Sequence, residues 1–192
     1  QDQQSWLDLC AGPGGKAALL SALAKRDSID FAANEISEVR AKLVSQVVQG
    51  ATVTTVDARE IDSLGKTFGA ILADVPCTGL GALRRRPEVR WRRTVADLKA
   101  LVILQSEIID AAVNVLAPGG IFGYATCSPH LSETRIAVSE TLRRHPDLEV
   151  VDVSPYLHPD LRSTGVDRGS MTLWTHRHGT DAMFLSVMRK KK

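Results

Sequence analysis

The sequence predicts a doubly wound α/β fold with a mostly parallel sheet. Short apolar segments alternate with longer amphipathic segments along most of the 192 residues, which is the pattern of strand–helix–strand units. Residues 68–74 are nearly all apolar, as in a strand that helices cover on both faces. Acidic and thiol side chains recur where the predicted strands end, and such folds bind ligands at the carboxyl ends of their strands.

Composition narrows the class of protein. A hydrophobic content of 44% supports a single domain, residues 1–192, with its own core. The net charge of +2 is too small to indicate nucleic-acid binding, so that function requires a local basic patch. Three cysteines without a C-x-x-C pair argue against a disulfide framework and a metal site, and they favour the reducing cytoplasm. No apolar run approaches the ~18 residues of a membrane span, so we expect no membrane partner.

The first predicted strand, residues 6–10, leads into a glycine-rich turn, residues 11–16, and residues 17–23 then form a helix. Glycines let the backbone approach a ligand, and the helix start offers unpaired N–H groups. The spacing matches neither the triphosphate nor the dinucleotide glycine pattern. Because Asp8 at the strand end attracts a positive amino or sulfonium group and repels a pyrophosphate, we expect a compact, cationic cofactor that carries adenosine. An ordinary tight strand–helix connection is the alternative.

Two further acids follow the next two strands. Glu35 comes after the second strand, residues 29–33, and lies about twenty residues beyond Gly15, the interval at which such folds place an acid on ribose hydroxyls. Asp57 follows the third strand, residues 53–56. We expect its carboxylate to accept a hydrogen bond from an adenine amino group.

The remaining elements complete the α/β pattern. Helices are expected at residues 37–48, 95–116 and 132–144, and strands at residues 121–125, 148–153, 171–174 and 182–188. The first of these helices has its apolar side chains on or near one face: Val39, Leu43, Val47 and Val48. Residues 117–120 carry a helix stop signal, and residues 154–170 show turn chemistry without periodicity. The last two strands form a β pair, which inserts one antiparallel strand.

A long, arginine-rich loop follows the fourth strand. About twenty residues separate Asp74 from the next helix, and loops of that length in compact domains are usually functional or disordered. Residues 84–93 hold six arginines around Trp91 and Glu88. Interleaved arginine and tryptophan bind phosphates and stack bases, whereas a solvated charged surface is the alternative.

Two thiols follow neighbouring strands. Cys77 comes after the fourth strand and Cys127 after the fifth, so we expect both to face one pocket. Cysteines are commonly small buried hydrophobes, and we assign that role to Cys10 inside the first strand. Small or helix-breaking neighbours such as Pro76 and Pro129 instead favour partly exposed, reactive thiols at the other two positions.

Three segments resemble the signature motifs of a known family, the RNA 5-methylcytosine methyltransferases of the Sun/Fmu type, RsmB included. They are Asp8-Leu9-Cys10-Ala11-Gly12-Pro13-Gly14-Gly15-Lys16, Asp74-Val75-Pro76-Cys77-Thr78-Gly79-Leu80-Gly81 and Ala125-Thr126-Cys127-Ser128-Pro129. Residues 85–91 and 178–184 resemble further family stretches, so the resemblance spans nearly the whole chain. It implies a Rossmann-like class I methyltransferase fold with a mostly parallel, seven-stranded sheet.

The resemblance implies S-adenosylmethionine as cofactor. Together with the glycine turn and the strand ends, it gives these expected cofactor-binding residues: Asp8, Cys10, Ala11, Gly12, Pro13, Gly14, Gly15, Lys16, Glu35, Arg40, Asp57 and Asp74. The expected RNA-binding residues are Arg84, Arg85, Arg86, Arg90, Trp91 and Arg92. The RNA implied by the resemblance is ribosomal, namely 16S RNA.

The resemblance also implies catalytic roles. Cys127 is the nucleophile that adds to carbon-6 of cytosine, which makes carbon-5 able to attack the methyl group. Cys77 takes part in loss of the carbon-5 proton and release of the enzyme. Asp74 hydrogen-bonds the ring near nitrogen-3, and Lys16 lies near the thiols and favours a thiolate.

Other functions stay open, and the sequence differs from the family pattern at two places. A catalytically silent RNA-binding relative would not need Cys77, Cys127 and Asp74 intact, and a methyltransferase for an amine or a protein would not need thiols; a different RNA such as tRNA stays open. Where the family often has Glu-Asn-Glu, the chain has Ser132-Glu133-Thr134, so only Glu133 carries over.

The family also has a helical segment and usually an RNA-binding domain before the first motif. Gln1-Asp2 resembles the start of that segment, so we expect a catalytic domain cut from a longer protein, with residues missing between Ser5 and Trp6. We expect a monomer.

Overall fold

The computed structural model describes residues 5–48 and 50–192. The resemblance carried by Gln1-Asp2 lies outside the described residues. The chain forms two compact units. The first unit comprises residues 1–74, 108–123 and 190–192, and the second comprises residues 75–107 and 124–189.

The first unit contains a parallel sheet. Its elements are β1 (Ser5–Asp8), α1 (Gly15–Arg26), β2 (Asp30–Asn34), α2 (Glu38–Val47), β3 (Thr52–Thr54), a 3-10 helix (Ala58–Leu64) and β4 (Phe68–Asp74). Two more elements, α4 (Val95–Asn114) and β5 (Leu116–Thr126), belong to this unit only in part. The unit contains α4 from residue 108 onward and β5 up to residue 123. β1 pairs in parallel with β2 and β4, and β2 pairs in parallel with β3. The strand order is therefore β3-β2-β1-β4-β5.

The apolar face predicted for α2 is wrong. Val39 is 73% exposed, and Leu43 and Val47 are also largely exposed, whereas Ala41 and Val44 are buried. Val44 packs with Phe31 and other buried side chains in the core of this unit. Because Ala41, Val44 and Val48 are spaced i, i+3 and i+7, they form the stripe that faces the core; the predicted stripe lies beside it.

The end of α4 also differs from prediction. The helix stops at Asn114, and residues 117–120 already belong to β5 instead of forming a helix stop. The N–H of Phe68 donates to the carbonyl of Val115 at 2.9 Å. Lys190 Nζ donates to the carbonyls of Val113 and Leu116 at 2.9 and 3.1 Å. Of these three carbonyls, that of Val113 lies in the last turn of α4, where a helix leaves carbonyl groups without partners, and the other two lie beyond the helix.

The second unit is richer in short elements. It contains 3-10 helices at Leu80–Ala82, Leu131–Glu133 and Ser154–Tyr156, the helices α3 (Val89–Arg92), α5 (Arg135–Arg144), α6 (Pro159–Gly165) and α7 (Thr175–His178), and the strands β6 (Leu148–Val151), β7 (Val166–Asp167), β8 (Ser170–Leu173) and β9 (Met183–Lys190, of which residue 190 belongs to the first unit). The strand order is β5-β9-β8-β7, with β6 also paired to β9. β8 pairs antiparallel with both β7 and β9.

The prediction of a mostly parallel α/β sheet with antiparallel pairing near the C-terminus is confirmed, but the described residues contain nine strands instead of seven. Arg168 and Gly169 have φ of 49° and 78°, as in the two-residue turns that join short hairpins, and they create β7. α6 lies in residues 154–170, where no element was expected. Its start has Pro159, which suits the first turn of a helix, and His158 Nδ1, which accepts from Asp160 N–H at 3.4 Å.

Candidate functional site

The glycine turn after β1 is held tightly by its neighbours in the first unit. The N–H of Ala11 donates to the carbonyl of Asn34 at 2.9 Å, and the N–H of Gly12 donates to Glu35 Oε2 at 3.0 Å. A Cβ on Gly12 would stand 2.2 Å from Glu35 Oε2. Gly14 has φ of +116°, and a Cβ there would stand 2.8 Å from Val47 Cγ2. Gly14 therefore requires glycine, and a side chain at position 12 would displace the Glu35 carboxylate.

Glu35 joins the turn to the start of α2. Its buried carboxylate accepts from the N–H of Gly12 on one oxygen, and from the N–H of Ser37 at 2.9 Å on the other. Arg40 Nη2 forms an ion pair with Glu35 Oε1 at 2.7 Å. The expected pairing of Glu35 with a ribose stays a prediction. A carboxylate oxygen can accept two bonds, so Glu35 Oε2 keeps capacity for a ligand hydroxyl.

Asp8 carries a buried carboxyl group without a hydrogen-bond partner in the part of the chain that the structure describes, which is unusual for an acidic side chain. The side chain is buried, and within the described residues neither of its oxygens has a hydrogen-bond partner. Burial raises the pKa of this carboxyl to about 7, helped by the negative charge of Asp74 and opposed by Lys16. Lys16 Nζ itself lies 2.6 Å from Asp74 Oδ2. A buried, unpartnered carboxylate attracts a proton or a cationic ligand group.

Two other predicted cofactor residues, Asp57 and Cys10, have pKa values shifted by their surroundings. Asp57 accepts from the N–H of Arg59 at 3.0 Å and pairs with its guanidinium at 2.7 Å. These hydrogen bonds hold the pKa of Asp57 below its usual range. Burial raises the pKa of the Cys10 thiol to about 12, so this thiol stays protonated at neutral pH. The expected contacts of both residues with the cofactor stay predictions.

Asn34 is a structural residue that the sequence reasoning missed. Its amide nitrogen donates to the carbonyls of Val56 at 2.9 Å and Leu9 at 3.3 Å. Its oxygen accepts from Thr54 Oγ1 at 2.8 Å and from Val56 N–H at 3.1 Å. The signal available in the sequence was an Asn directly after an apolar strand, since such a side chain can bond to neighbouring backbone groups. The side chain fixes the carboxyl ends of β1 and β3 against β2.

The two predicted thiols lie together in the second unit. Cys77 Sγ is 3.2 Å from Cys127 Sγ, and both residues are half-buried. The structure thus brings the two thiols together, and the expectation that they face one pocket stays a prediction. The hydrogen bond from Cys127 lowers the pKa of Cys77 to about 7, with smaller help from Thr126 and Gly79, while burial and the charge of Glu133 oppose it. Lowered thiol pKa and partial exposure are the marks of a reactive cysteine.

Backbone hydrogen bonds fix the segments that carry the thiols. The N–H of Val75 donates to the carbonyl of Ala125 at 3.0 Å, and the N–H of Gly81 donates to the carbonyl of Cys127 at 2.9 Å. A Cβ on Gly81 would stand 2.0 Å from the carbonyl oxygen of Ala182. Glycine at this position is therefore required for the close approach.

Glu133 lies fully buried beneath the thiol segments. Its carboxylate accepts from the N–H of Thr78 at 2.8 Å, from Thr78 Oγ1 at 2.5 Å and from Gln105 Nε2 at 3.0 Å. Thr78 follows Cys77, and its hydroxyl lies 3.3 Å from Ser128 Oγ, next to Cys127. The sequence indicated Glu133 only through its position in the family motif. The structure shows that it orders the residues after both thiols.

The arginine-rich segment is mostly exposed. Trp91 is 77% exposed, and Arg84, Arg86, Arg90 and Arg92 are exposed as well. Arg85 is also exposed, but its guanidinium is paired, with Nε 2.8 Å from Asp181 Oδ2. Arg93 Nε donates to the carbonyl of Thr78 at 3.2 Å. Part of the segment therefore anchors the loop, and the rest presents positive charge and one aromatic ring to solvent.

Comparison with known proteins identifies the family. A family model described as 16S rRNA methyltransferase RsmB/F matches residues 1–189. The chain belongs to this family. The resemblance drawn from the three motifs is thereby confirmed, and the match covers nearly the whole length of the chain.

Individual relatives agree with the RsmB/F assignment. A Mycobacterium tuberculosis (strain ATCC 25618 / H37Rv) protein named as a methyltransferase is 50% identical over 98% of this chain and 41% of its own length. Ribosomal RNA small subunit methyltransferase B of Pectobacterium carotovorum is 33% identical over 99% of this chain and 43% of its own length. The crystal structure of NSun6 from Pyrococcus horikoshii has a TM-score of 0.82 and 25% identity, over 98% of this chain and 48% of that one. The chain thus spans less than half the length of these relatives.

Two further findings concern the described part of this RsmB/F-family chain. Within residues 5–48 and 50–192, no group of three or more His, Cys, Asp or Glu side chains is arranged to hold a metal ion. In the same residues, no helix is both long and apolar enough to cross a membrane.

Proposed function

We propose that this chain is the catalytic part of an S-adenosylmethionine-dependent methyltransferase that acts on carbon-5 of cytosine in RNA through a covalent cysteine adduct. One observation carries the proposal: Cys77 Sγ and Cys127 Sγ lie 3.2 Å apart in a chain of the RsmB/F family. Methylation of an amine needs no thiol, whereas carbon-5 of cytosine must first be activated by a nucleophile. Because several relatives are named for methylation of small-subunit rRNA, we propose this RNA as the substrate. We place the reaction in the reducing cytoplasm.

The two thiols would divide the reaction between them. Cys127 adds to carbon-6 of the cytosine, which places electron density on carbon-5 and lets that carbon take the methyl group. The carbon-5 proton must then leave before the bond to Cys127 breaks, and Cys77 acts in that release. The lowered pKa of Cys77 suits a group that must accept and return a proton near neutral pH.

The residues of the glycine turn fit S-adenosylmethionine, which supplies a methyl group on a positively charged sulfur. Asp8, buried and without a hydrogen-bond partner in the described residues, gives a cationic group of this cofactor a carboxylate to pair with. Gly15 opens α1, and a Cβ at this position would have no neighbouring atom within 4 Å, which leaves room for close backbone approach. Glu35 Oε2 would accept a ribose hydroxyl.

Asp74 and Lys16 form an ion pair, and we propose that both residues take part in catalysis. Asp74 Oδ2 accepts from Lys16 Nζ at 2.6 Å. We propose that Asp74 hydrogen-bonds the cytosine near nitrogen-3 and that Lys16 favours a thiolate. Both assignments follow the family resemblance.

The exposed arginines supply the RNA contact. Arg84, Arg86, Arg90 and Arg92 would neutralise phosphates, and Trp91 would stack on an unpaired base. Arg85 holds Asp181, so we propose that it positions the loop as well as contributing charge.

The experiment that tests the proposal uses small-subunit rRNA fragments that carry 5-fluorocytosine. Fluorine at carbon-5 cannot leave as the proton does, so the bond between Cys127 and carbon-6 should persist and shift the band on a denaturing gel. Glu140→Gln, which changes an exposed side chain outside the candidate site, should trap RNA as the wild type does. If no RNA forms an adduct, the result would favour the alternative that the chain is a catalytically silent RNA-binding relative. If tRNA alone forms an adduct, the substrate would be tRNA instead of rRNA.

A further inference from the structure

We propose that Cys77 and Cys127 are also a modification site, at which a hydroperoxide converts the two thiols into a reversible disulfide. The sulfur atoms are 3.2 Å apart, and a disulfide requires about 2.05 Å. Closing the bond therefore takes about 1.2 Å of relative sulfur movement.

The backbone around the pair holds the sulfurs at short range. Val75 and Ala125 are hydrogen-bonded before the two cysteines, and Gly81 and the carbonyl of Cys127 are hydrogen-bonded after them. Glu133 adds a link through Thr78 towards Ser128. The thiols thus stay neighbours in the resting protein and do not need a loop rearrangement to meet.

The chemistry balances with a hydroperoxide as the oxidant. The Cys77 thiolate attacks one peroxide oxygen, the O–O bond breaks, and hydroxide or alkoxide leaves, which gives a sulfenic acid. The Cys127 sulfur then attacks the Cys77 sulfur, the S–O bond breaks, and water leaves as the Cys127 proton is lost. With hydrogen peroxide, two thiols and one peroxide give one disulfide and two waters. Oxidation of this kind selects thiols with thiolate character and access to solvent.

Cys10 is a natural internal control. It lies in the first unit, in the turn that follows β1, and burial raises its pKa to about 12. Thiolate attack at this position is therefore suppressed at neutral pH. The structure predicts that oxidation consumes two thiols of the three and leaves Cys10 reduced.

The test counts thiols and needs neither RNA nor cofactor. The folded chain is treated with a small excess of hydrogen peroxide, unfolded in an alkylating reagent, and analysed by intact mass and peptide mapping. We expect one alkylated cysteine, Cys10, a linked Cys77–Cys127 peptide pair, and full recovery of three alkylated cysteines after dithiothreitol. Cys10→Ser should form the same disulfide, whereas Cys127→Ser should stop at a Cys77 sulfenic acid that dimedone labels.

Two outcomes would overturn the inference. One is direct conversion of Cys77 to sulfinic acid in the wild type without a disulfide, and the other is loss of Cys10 at the same rate as the pair. Because the proposed methyl transfer is tested separately by adduct trapping, either idea can fail while the other stands.

Discussion

Replacing Glu133 should destabilise the second unit strongly. In Glu133→Ala, the N–H of Thr78 loses its acceptor in a buried position, at a cost of about 1–3 kcal/mol. The Thr78 hydroxyl can turn to Ser128 Oγ at 3.3 Å, and Gln105 Nε2 still donates to the carbonyl of Pro76 at 2.9 Å. Adding the cavity left by the removed side chain, we expect a total loss of about 3 kcal/mol, measured by urea denaturation followed by circular dichroism.

A matched pair of variants separates this network from a general effect of removing an acid. Glu140→Ala removes an exposed carboxylate paired with Arg143 and should change stability by less than about 0.5 kcal/mol. Glu133→Gln keeps the volume and one acceptor, and should lose less than Glu133→Ala. It should also lower the pKa of Cys77 further, because the charge of Glu133 raises that pKa; thiolate absorbance against pH measures it. A loss below about 1 kcal/mol in Glu133→Ala would refute the role assigned to this side chain.

Three further predictions concern the other residues of the site. The pKa of Asp8 rises from 3.8 to about 7 on folding, so the folded state holds the extra proton between these values and stability should fall as pH rises from 4 to 7, by about 4 kcal/mol in all. Asp8→Asn should abolish that slope in urea titrations, and an unchanged slope would show that Asp8 is not the group responsible. Glu35→Ala should weaken S-adenosylmethionine binding by about 1–3 kcal/mol, and unchanged affinity by calorimetry would remove Glu35 from the cofactor site. Replacing Arg84 and Arg86 by Gln should reduce the salt dependence of RNA binding by about 0.7 per lost phosphate contact, while an unchanged slope would leave both as solvated surface.

The features that the sequence predicted well are set by short-range patterns. Residues 68–74 form β4 with the predicted bounds, because an uninterrupted apolar run is unambiguous when it is also too short for a helix. The proximity of Cys77 and Cys127 followed from strand neighbours, since both thiols come after strands that pair. The glycine turn was recognised because its residues are contiguous.

The features that it predicted poorly depend on partners far away in the chain. Glu133 meets Thr78 across 55 positions, and Asn34 meets Val56 across 22, so neither sequence neighbourhood shows that the polar group is satisfied. In α2, periodicity located a helix but not the face that Ala41 and Val44 turn to the core, because a stripe of valine and leucine beside them has a similar spacing. Which face is buried depends on what the helix packs against.

The most direct test of the central claim is the fate of RNA on two single-thiol variants, read on a denaturing gel with unmodified cytosine RNA and S-adenosylmethionine. Cys127→Ala should form no adduct and transfer no methyl group, because the ring is never activated. Cys77→Ala should accumulate a shifted band, since methyl transfer proceeds once and the product stays bound to Cys127. An adduct on Cys127→Ala and none on Cys77→Ala would show that Cys77 is the nucleophile and Cys127 acts in release. Full activity in both variants would contradict the thiol mechanism itself.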